Sequence, residues 1–306
     1  MMRTASAMAS LLAAWTLVAV GGCRHGEDAS VASSPLLEPR TEAARPPAIG
    51  EMIRLDDGQD ESLGAAEPFD GAEFVRRLQK AVAAGPASDG KGHELARLAV
   101  DAAAALNVYS ARFEKQECIG AVLRPVEQME VWVRETPRAV RLRWVGAVDR
   151  GKDVLYVEGE NGDRLRVYAG HLFLKLRLDL EPTSDAARKD NRHPITRMGL
   201  ATLASGLLLN VGESVAAAAE EFHLLGRAAL DGQTVDVVGR TAAADAPDLP
   251  SDLLIYCLDA RTHLPALAAR YDDGGNLLER YRYSAVTPLA TAPDRVFDFA
   301  SLGRKL

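Results

Sequence analysis

The chain has 306 residues, with 36 Lys and Arg against 43 Asp and Glu, a net charge of −7 and three cysteines. With 47% apolar residues it can bury a sizeable core. It shows no basic stripe for nucleic acid, no phosphate-binding glycine loop, no nucleotide fingerprint and no nucleophile elbow.

The first element is an uncharged apolar run from Ala7 to Val20, with Arg3 ahead of it. At about 20 residues for a spanning helix, the run is short for a permanent anchor and fits a secretory signal peptide. It exits through Val20-Gly21-Gly22-Cys23, which resembles the bacterial lipobox. That resemblance implies cleavage after Gly22, a diacylglycerol on the Cys23 thiol and an acylated amino group. The expected product is a domain tethered to a membrane through acyl chains on Cys23, since two or more chains anchor stably. Residues 1–22 are then discarded. Residues 23–70 are rich in Pro, Ala, Ser and acids, with four arginines against eleven acids. They read as a flexible acidic tether. Residues 71–306 are close to neutral and form the domain. Arg24 stands where an aspartate favours inner-membrane retention in proteobacteria, so the outer membrane is the expected address, with the domain in the periplasm.

Two helices open the domain. Asp70 can cap one carrying Phe74, Leu78 and Val82, and Leu95, Leu98, Ala102 and Leu106 recur at helical spacing in the next. His93-Glu94 opens like a zincin motif, but Arg97 stands where the second histidine belongs, and the six histidines lack ligand spacing. No metal or other cofactor is expected.

From Tyr109 the period changes to two. Tyr109, Ala111 and Phe113 alternate with polar residues, as do Met129, Val131 and Val133, then Val140, Leu142 and Trp144. Strands follow at Val154–Val157 and Arg164–Tyr168, and a leucine alternation runs from Leu172 to Leu180. Arg141, Arg143, Lys175 and Arg177 read as the wet face. Glu181 to Arg192 reads as a polar, mobile loop, and Asp190 with His193 is the nearest approach to a polar catalytic pair. A helix after Pro194 carries Leu200, Leu203, Leu207 and Val211. Strands resume at Phe222–Ala229, Val235–Arg240, Leu253–Leu258, Ala266–Tyr271 and Leu277–Val286. The pattern predicts an α+β fold: a single curved antiparallel sheet with helices covering its apolar face. Beyond Cys23, Cys118 and Cys257 allow one disulfide in an exported domain, against two buried free thiols as the commoner condition.

The segments "YSARFEKQECIGAVLRPVEQMEVWVRETPRAVRLRW", "VLYVEGENGDRLRVYAG" and "HPITRMGL" resemble an uncharacterised bacterial family, the domain-of-unknown-function family 1571, found mainly in planctomycetes. A more remote similarity is to the lipoprotein carriers LolA and LolB. It implies a half-open barrel with lid helices around an apolar cavity for acyl chains. On that basis the candidate cavity residues are Met129, Val131, Val133, Val140, Leu142 and Trp144, with Leu200, Leu203 and Leu207 as lid. The expected function is a non-catalytic carrier or acceptor for lipid or lipoprotein. A docking module for a protein partner is the alternative, and an envelope hydrolase using Asp190 and His193 is a weaker one.

Overall fold

The structure is a computed structural model that describes residues 67–84, 90–171, 174–208, 220–242 and 253–304. Gly22, Cys23 and Val211 lie outside the described residues. The first described element is β1 (Glu67–Pro68), which pairs in parallel with β9 (Glu220–Leu230). The helix α1 (Gly71–Ala84) follows, its first turn capped by Asp70, whose Oδ1 accepts from the Ala72 N–H at 2.9 Å. The helix α2 (Lys91–Ala104) comes next.

The remaining strands form one sheet. Its first group is β2 (Val108–Ile119), the short β3 (Val122–Leu123), β4 (Glu127–Arg134), β5 (Ala139–Trp144) and β6 (Asp153–Val157). Then come β7 (Leu165–His171) and β8 (Leu174–Leu180). Two helices follow, α3 (Asp185–Arg188) and α4 (Leu200–Leu208). The last strands are β10 (Gln233–Ala242), β11 (Leu253–Asp259), β12 (Pro265–Tyr271) and β13 (Leu277–Pro288). The spatial order is β1-β9-β10-β11-β12-β13-β2-β4-β5-β6-β7-β8, with β3 paired to β2. All pairings but β1·β9 are antiparallel, and among the described residues β1 and β8 end the order without a further partner, so the sheet is open.

The helices do not all share one face. On β10, β11 and β12 both parities are apolar. Val235, Val237, Ile255, Cys257 and Ala269 pack with Phe74, Val75 and Leu78 of α1. Val238, Tyr256, Leu258 and Ala268 pack with Ala96 and Ala99 of α2 and Leu207 of α4. These strands therefore sit between α1 outside and α2 with α4 inside, which explains their near-continuous burial. A Cβ at Gly239 would meet Leu78 Cδ1 at 2.6 Å, so glycine there lets α1 approach closely.

On the other half, the outer face corrects the expectation of a wet surface at Arg141, which is fully buried. Its guanidinium makes a bidentate pair with Asp153, at 2.9 and 2.6 Å. It also donates to the Val296 carbonyl and to Ser301 Oγ, at 2.9 and 2.7 Å. Asp153 in turn accepts from the Gly303 N–H at 3.0 Å. The C-terminal segment is thus clamped across β5 and β6, over an apolar patch of Ala139, Leu155, Val157 and Leu302. Arg143 sits on the same face, half-buried, donating to the Arg304 carbonyl at 2.9 Å.

Cys118 and Cys257 are both free and buried. The bridge between them is corrected by the strand order: β2 and β11 have β12 and β13 between them. Three strand spacings are about 14 Å, twice the reach of a disulfide. Burial pushes the Cys257 thiol pKa well up, so it stays protonated and packs as an apolar side chain.

Candidate ligand cavity

The inner face of β2, β4, β5 and β6 carries the alternating residues of the sequence: Phe113, Met129, Leu142, Trp144 and Val154. Cross-strand register aligns Met129 with both Phe113 and Trp144, and Val154 with both Leu142 and Val167. The sheet curls, so that these residues and Leu254, Tyr256, Ala268 and Arg270 of β11 and β12 line one cavity of about 460 Å³. The segment from Pro182 to Gly206 covers it, contributing Ala186, Ala187, Ile195, Met198 and Leu203.

The lid helix is fixed at both ends by polar groups from the sheet. At its start the Leu200 N–H donates to Tyr109 Oη at 2.6 Å and the Gly199 N–H to Tyr283 Oη at 3.2 Å. Gly199 has φ +119°, and a Cβ there would meet Glu135 Oε1 at 2.9 Å and Tyr109 Oη at 3.0 Å. Glycine is needed at that entry for both reasons. Burial raises the Glu135 pKa, opposed by the neighbouring Arg138 and the Tyr109 hydroxyl. Near its end, Arg240 donates to the Gly206 carbonyl at 2.5 Å, a cation placed at the negative end of the helix dipole.

Of the nine residues expected from the sequence, Met129, Leu142, Trp144 and Leu203 line the cavity. Val131, Val133, Val140 and Leu200 pack instead in the core cluster with Ala103 and Leu106, and Leu207 packs against α2 and β11. The cavity thus occupies one end of the inner face, and the valines fill the other.

One end of the cavity is charged. Lys115 and Glu117 of β2 and Glu279 of β13 are buried there, with Tyr281 of β13 partly buried beside them. Register sets Glu117 directly opposite Glu279, a like-charge pair that needs cations. Lys115 Nζ reaches Glu127 Oε1 at 3.1 Å, Asn191 Oδ1 at 2.6 Å and the Asp190 carbonyl at 3.2 Å. Glu279 Oε2 meets both Arg192 Nε and His193 Nε2 at 3.0 Å. The Tyr281 hydroxyl bonds Glu117 and lies 3.1 Å from Glu279 Oε2; burial and the two carboxylates push its pKa well up. Burial raises the Glu279 pKa, but the His193 hydrogen bond and the charges of His193, Arg192 and Arg270 outweigh it and bring the value to about 2.

This cluster pins the segment that the sequence suggested was mobile: residues 190–193 are tied to β2 and β13, and Asn191 also donates to the Ala187 carbonyl of α3. It also separates the two residues considered for hydrolysis. The Asp190 carboxylate faces Arg124 at 3.5 Å, while His193 faces Glu279. Among the described residues no group of three or more His, Cys, Asp or Glu is arranged to hold a metal. The cluster had a readable signal in the sequence. The parity of Tyr109, Ala111 and Phe113 continues into Lys115 and Glu117, so charges occupy positions that alternation assigns to the inner face.

A model of the family "Protein of unknown function (DUF1571)" matches residues 106–301. The chain belongs to the DUF1571 family. Every strand from β2 to β13 and the whole lid segment of this DUF1571 chain fall within that match. No curated protein matches it significantly. Among solved structures it is similar to MucB, with 18% identity, a TM-score of 0.44 and coverage of 70% of this chain. That match takes in 64% of MucB, less than two thirds of its length. It is also similar to the Mycobacterium tuberculosis lipoprotein LppX, at 14% identity and a TM-score of 0.41, covering 67% of this chain and all of that one. A LolA superfamily protein from Nitrosomonas europaea matches at 10% identity and a TM-score of 0.29, over 69% of this chain and 99% of that one. These are distant likenesses, and the functional reading rests on the cavity itself.

Proposed function

We propose that this DUF1571 chain is an envelope lipoprotein that binds an acyl chain, carried by a lipid or a lipoprotein, beneath α4 without reacting with it. The observation that carries the reading is the cavity of about 460 Å³ between the curled sheet and the Pro182–Gly206 segment. Ligand pockets fall at about 300–1,000 Å³, apolar with a few convergent polar groups, and this one has that make-up. Each buried methylene contributes about 0.8 kcal/mol. Ten would contribute about 8 kcal/mol, the scale of a micromolar Kd before the cost of ordering the chain. The lipobox at Cys23 supports anchoring and an envelope address, with the outer membrane favoured by Arg24. Separate partners for Asp190 and His193 dissolve the pair considered for hydrolysis, and Glu279, which His193 meets instead, is also held by Arg192, so both groups are engaged in pinning the lid segment, which supports a non-catalytic role.

Native mass spectrometry of the full chain, extracted gently from membranes, tests this. The reading expects a population heavier by the mass of an acyl-bearing lipid, released on mild activation. A ligand-free spectrum together with failure to bind any added acyl probe would overturn it.

A further inference from the structure

Six large apolar side chains stand exposed among the described residues: Val82, Val122, Leu123, Val145, Leu176 and Leu178. Four of them belong to one end of the sheet, and the fifth, Leu178, follows Leu176 along the edge strand β8. Val122 and Leu123, 51% and 47% exposed, follow the turn out of β2, where Leu123 pairs with Cys118. Val145 follows β5, with its N–H bonded to the Gln128 carbonyl at the start of β4. Leu176 is the third residue of β8, opposite Ala169. In an antiparallel sheet with this strand order, the end of β2, the end of β5 and the start of β8 necessarily lie at the same end. Leu178 is 43% exposed and also lines the cavity, so the apolar rim runs into the cavity mouth.

Cations stand among these side chains. Arg124 is exposed beside Leu123, and Arg150 is exposed in the β5–β6 loop, where Lys152 is half-buried. Arg188 and Lys189 are exposed at the end of α3, which meets the rim through the 3.5 Å contact of Asp190 with Arg124. The acids of the same segments are Asp149, paired with Lys152 at 3.0 Å, then Asp185 and Asp190. The acidic turn Asp272-Asp273 bounds the rim on the β12–β13 side. Apolar tips interleaved with a surplus of cations match the chemistry of an anionic lipid interface.

We propose that this rim is a membrane-docking surface that seats on an anionic bilayer, with the apolar tips in the interface and the cations at the phosphates. The cavity mouth at Leu178 then opens toward the lipid. The surface is independent of acylation at Cys23 and of what the cavity holds.

The test uses the chain from Arg24 onward, which holds every described residue and lacks the acylation site, sedimented with phosphatidylcholine vesicles with or without phosphatidylglycerol. It should partition onto the anionic vesicles, and more weakly as salt rises. A Val122→Asp, Leu123→Asp double variant should lose about tenfold or more in partitioning, with its melting temperature unchanged, because both side chains are exposed. Arg124→Glu should lose severalfold and flatten the salt dependence, while Val82→Asp, on α1, should bind as the parent does. Equal binding by the double variant would overturn the proposal. So would binding to neither vesicle, which would leave the rim to a protein partner. Acyl-probe binding in vesicle-free solution reads the cavity separately, so loss of docking with probe binding intact would count against the rim alone.

Discussion

The two halves of the sheet are covered in different ways. Strands β10 to β12 have α1 on one face and α2 with α4 on the other, and both interfaces are packed with small and branched side chains. Strands β4 to β8 have the C-terminal segment outside and, inside, a lid segment of nine-residue α4, four-residue α3 and the chain around them. Two full helices close most of the first half, whereas short elements held by polar contacts leave a cavity over the second that reaches as far as β11 and β12. The contrast teaches that the space comes from the cover, because the inner-face residues of the two halves are similarly apolar.

The largest effect should come from breaking the outer cover. Arg141→Ala leaves Asp153 buried without its guanidinium and releases the C-terminal segment. The expected loss is about 3–5 kcal/mol, read as a large fall in melting temperature. Replacing both partners, Arg141→Met with Asp153→Leu, should recover much of it. Acyl-probe affinity of the folded double variant should match the parent, since the clamp lies on the opposite face from the cavity.

Next in size is the inner cluster. Glu279 titrates near 4.5 when unfolded and is held at about 2 in the fold. Its ionised form therefore adds stability that is fully present above about pH 4.5 and is lost as pH falls through 2. Glu279→Gln should cost about 2–3 kcal/mol at neutral pH, and the gap to the parent should close by pH 2. Thermal melts of both proteins across that range check the prediction; a constant gap would contradict the pairing with Arg192 and His193.

The smallest stability change, of opposite sign, is expected at Gly206. A Cβ there would touch only Tyr256 Oη, at 3.4 Å. Gly206→Leu should stabilise α4 by roughly 0.5–1 kcal/mol while taking up cavity space. Melting temperature should rise slightly as acyl-probe affinity falls about tenfold, a cost of about 1.4 kcal/mol.

Strands were legible wherever alternation was unbroken, as at Met129–Val133 and Val140–Trp144, because half-buried antiparallel strands write their two faces into the sequence. Arg141 was not, because its charge fits the polar parity of β5 while its partners are 12 residues on at Asp153 and 160 on at Ser301. The side on which α1 packs was equally hidden. Both parities of β10 to β12 are apolar, and such runs do not say which helix takes which face. Among the cavity candidates, Val131, Val133 and Val140 share the parity of Met129 and Leu142, and only the course of the lid separates wall from core.

Trp144 provides the most direct test of the central claim. Its indole lies in the cavity wall, with Nε1 donating to Glu127 at 2.6 Å and Lys152 Nζ 4.4 Å from the ring. In the chain from Arg24 onward the other tryptophan is Trp132, on the outer face, with the Arg143 guanidinium 5.6 Å from its ring. A brominated acyl chain titrated into this protein should quench emission saturably, fully retained in Trp132→Phe and weakened about tenfold by Gly206→Leu. Quenching that is absent, or that disappears with Trp132, would contradict an acyl-binding cavity beneath α4.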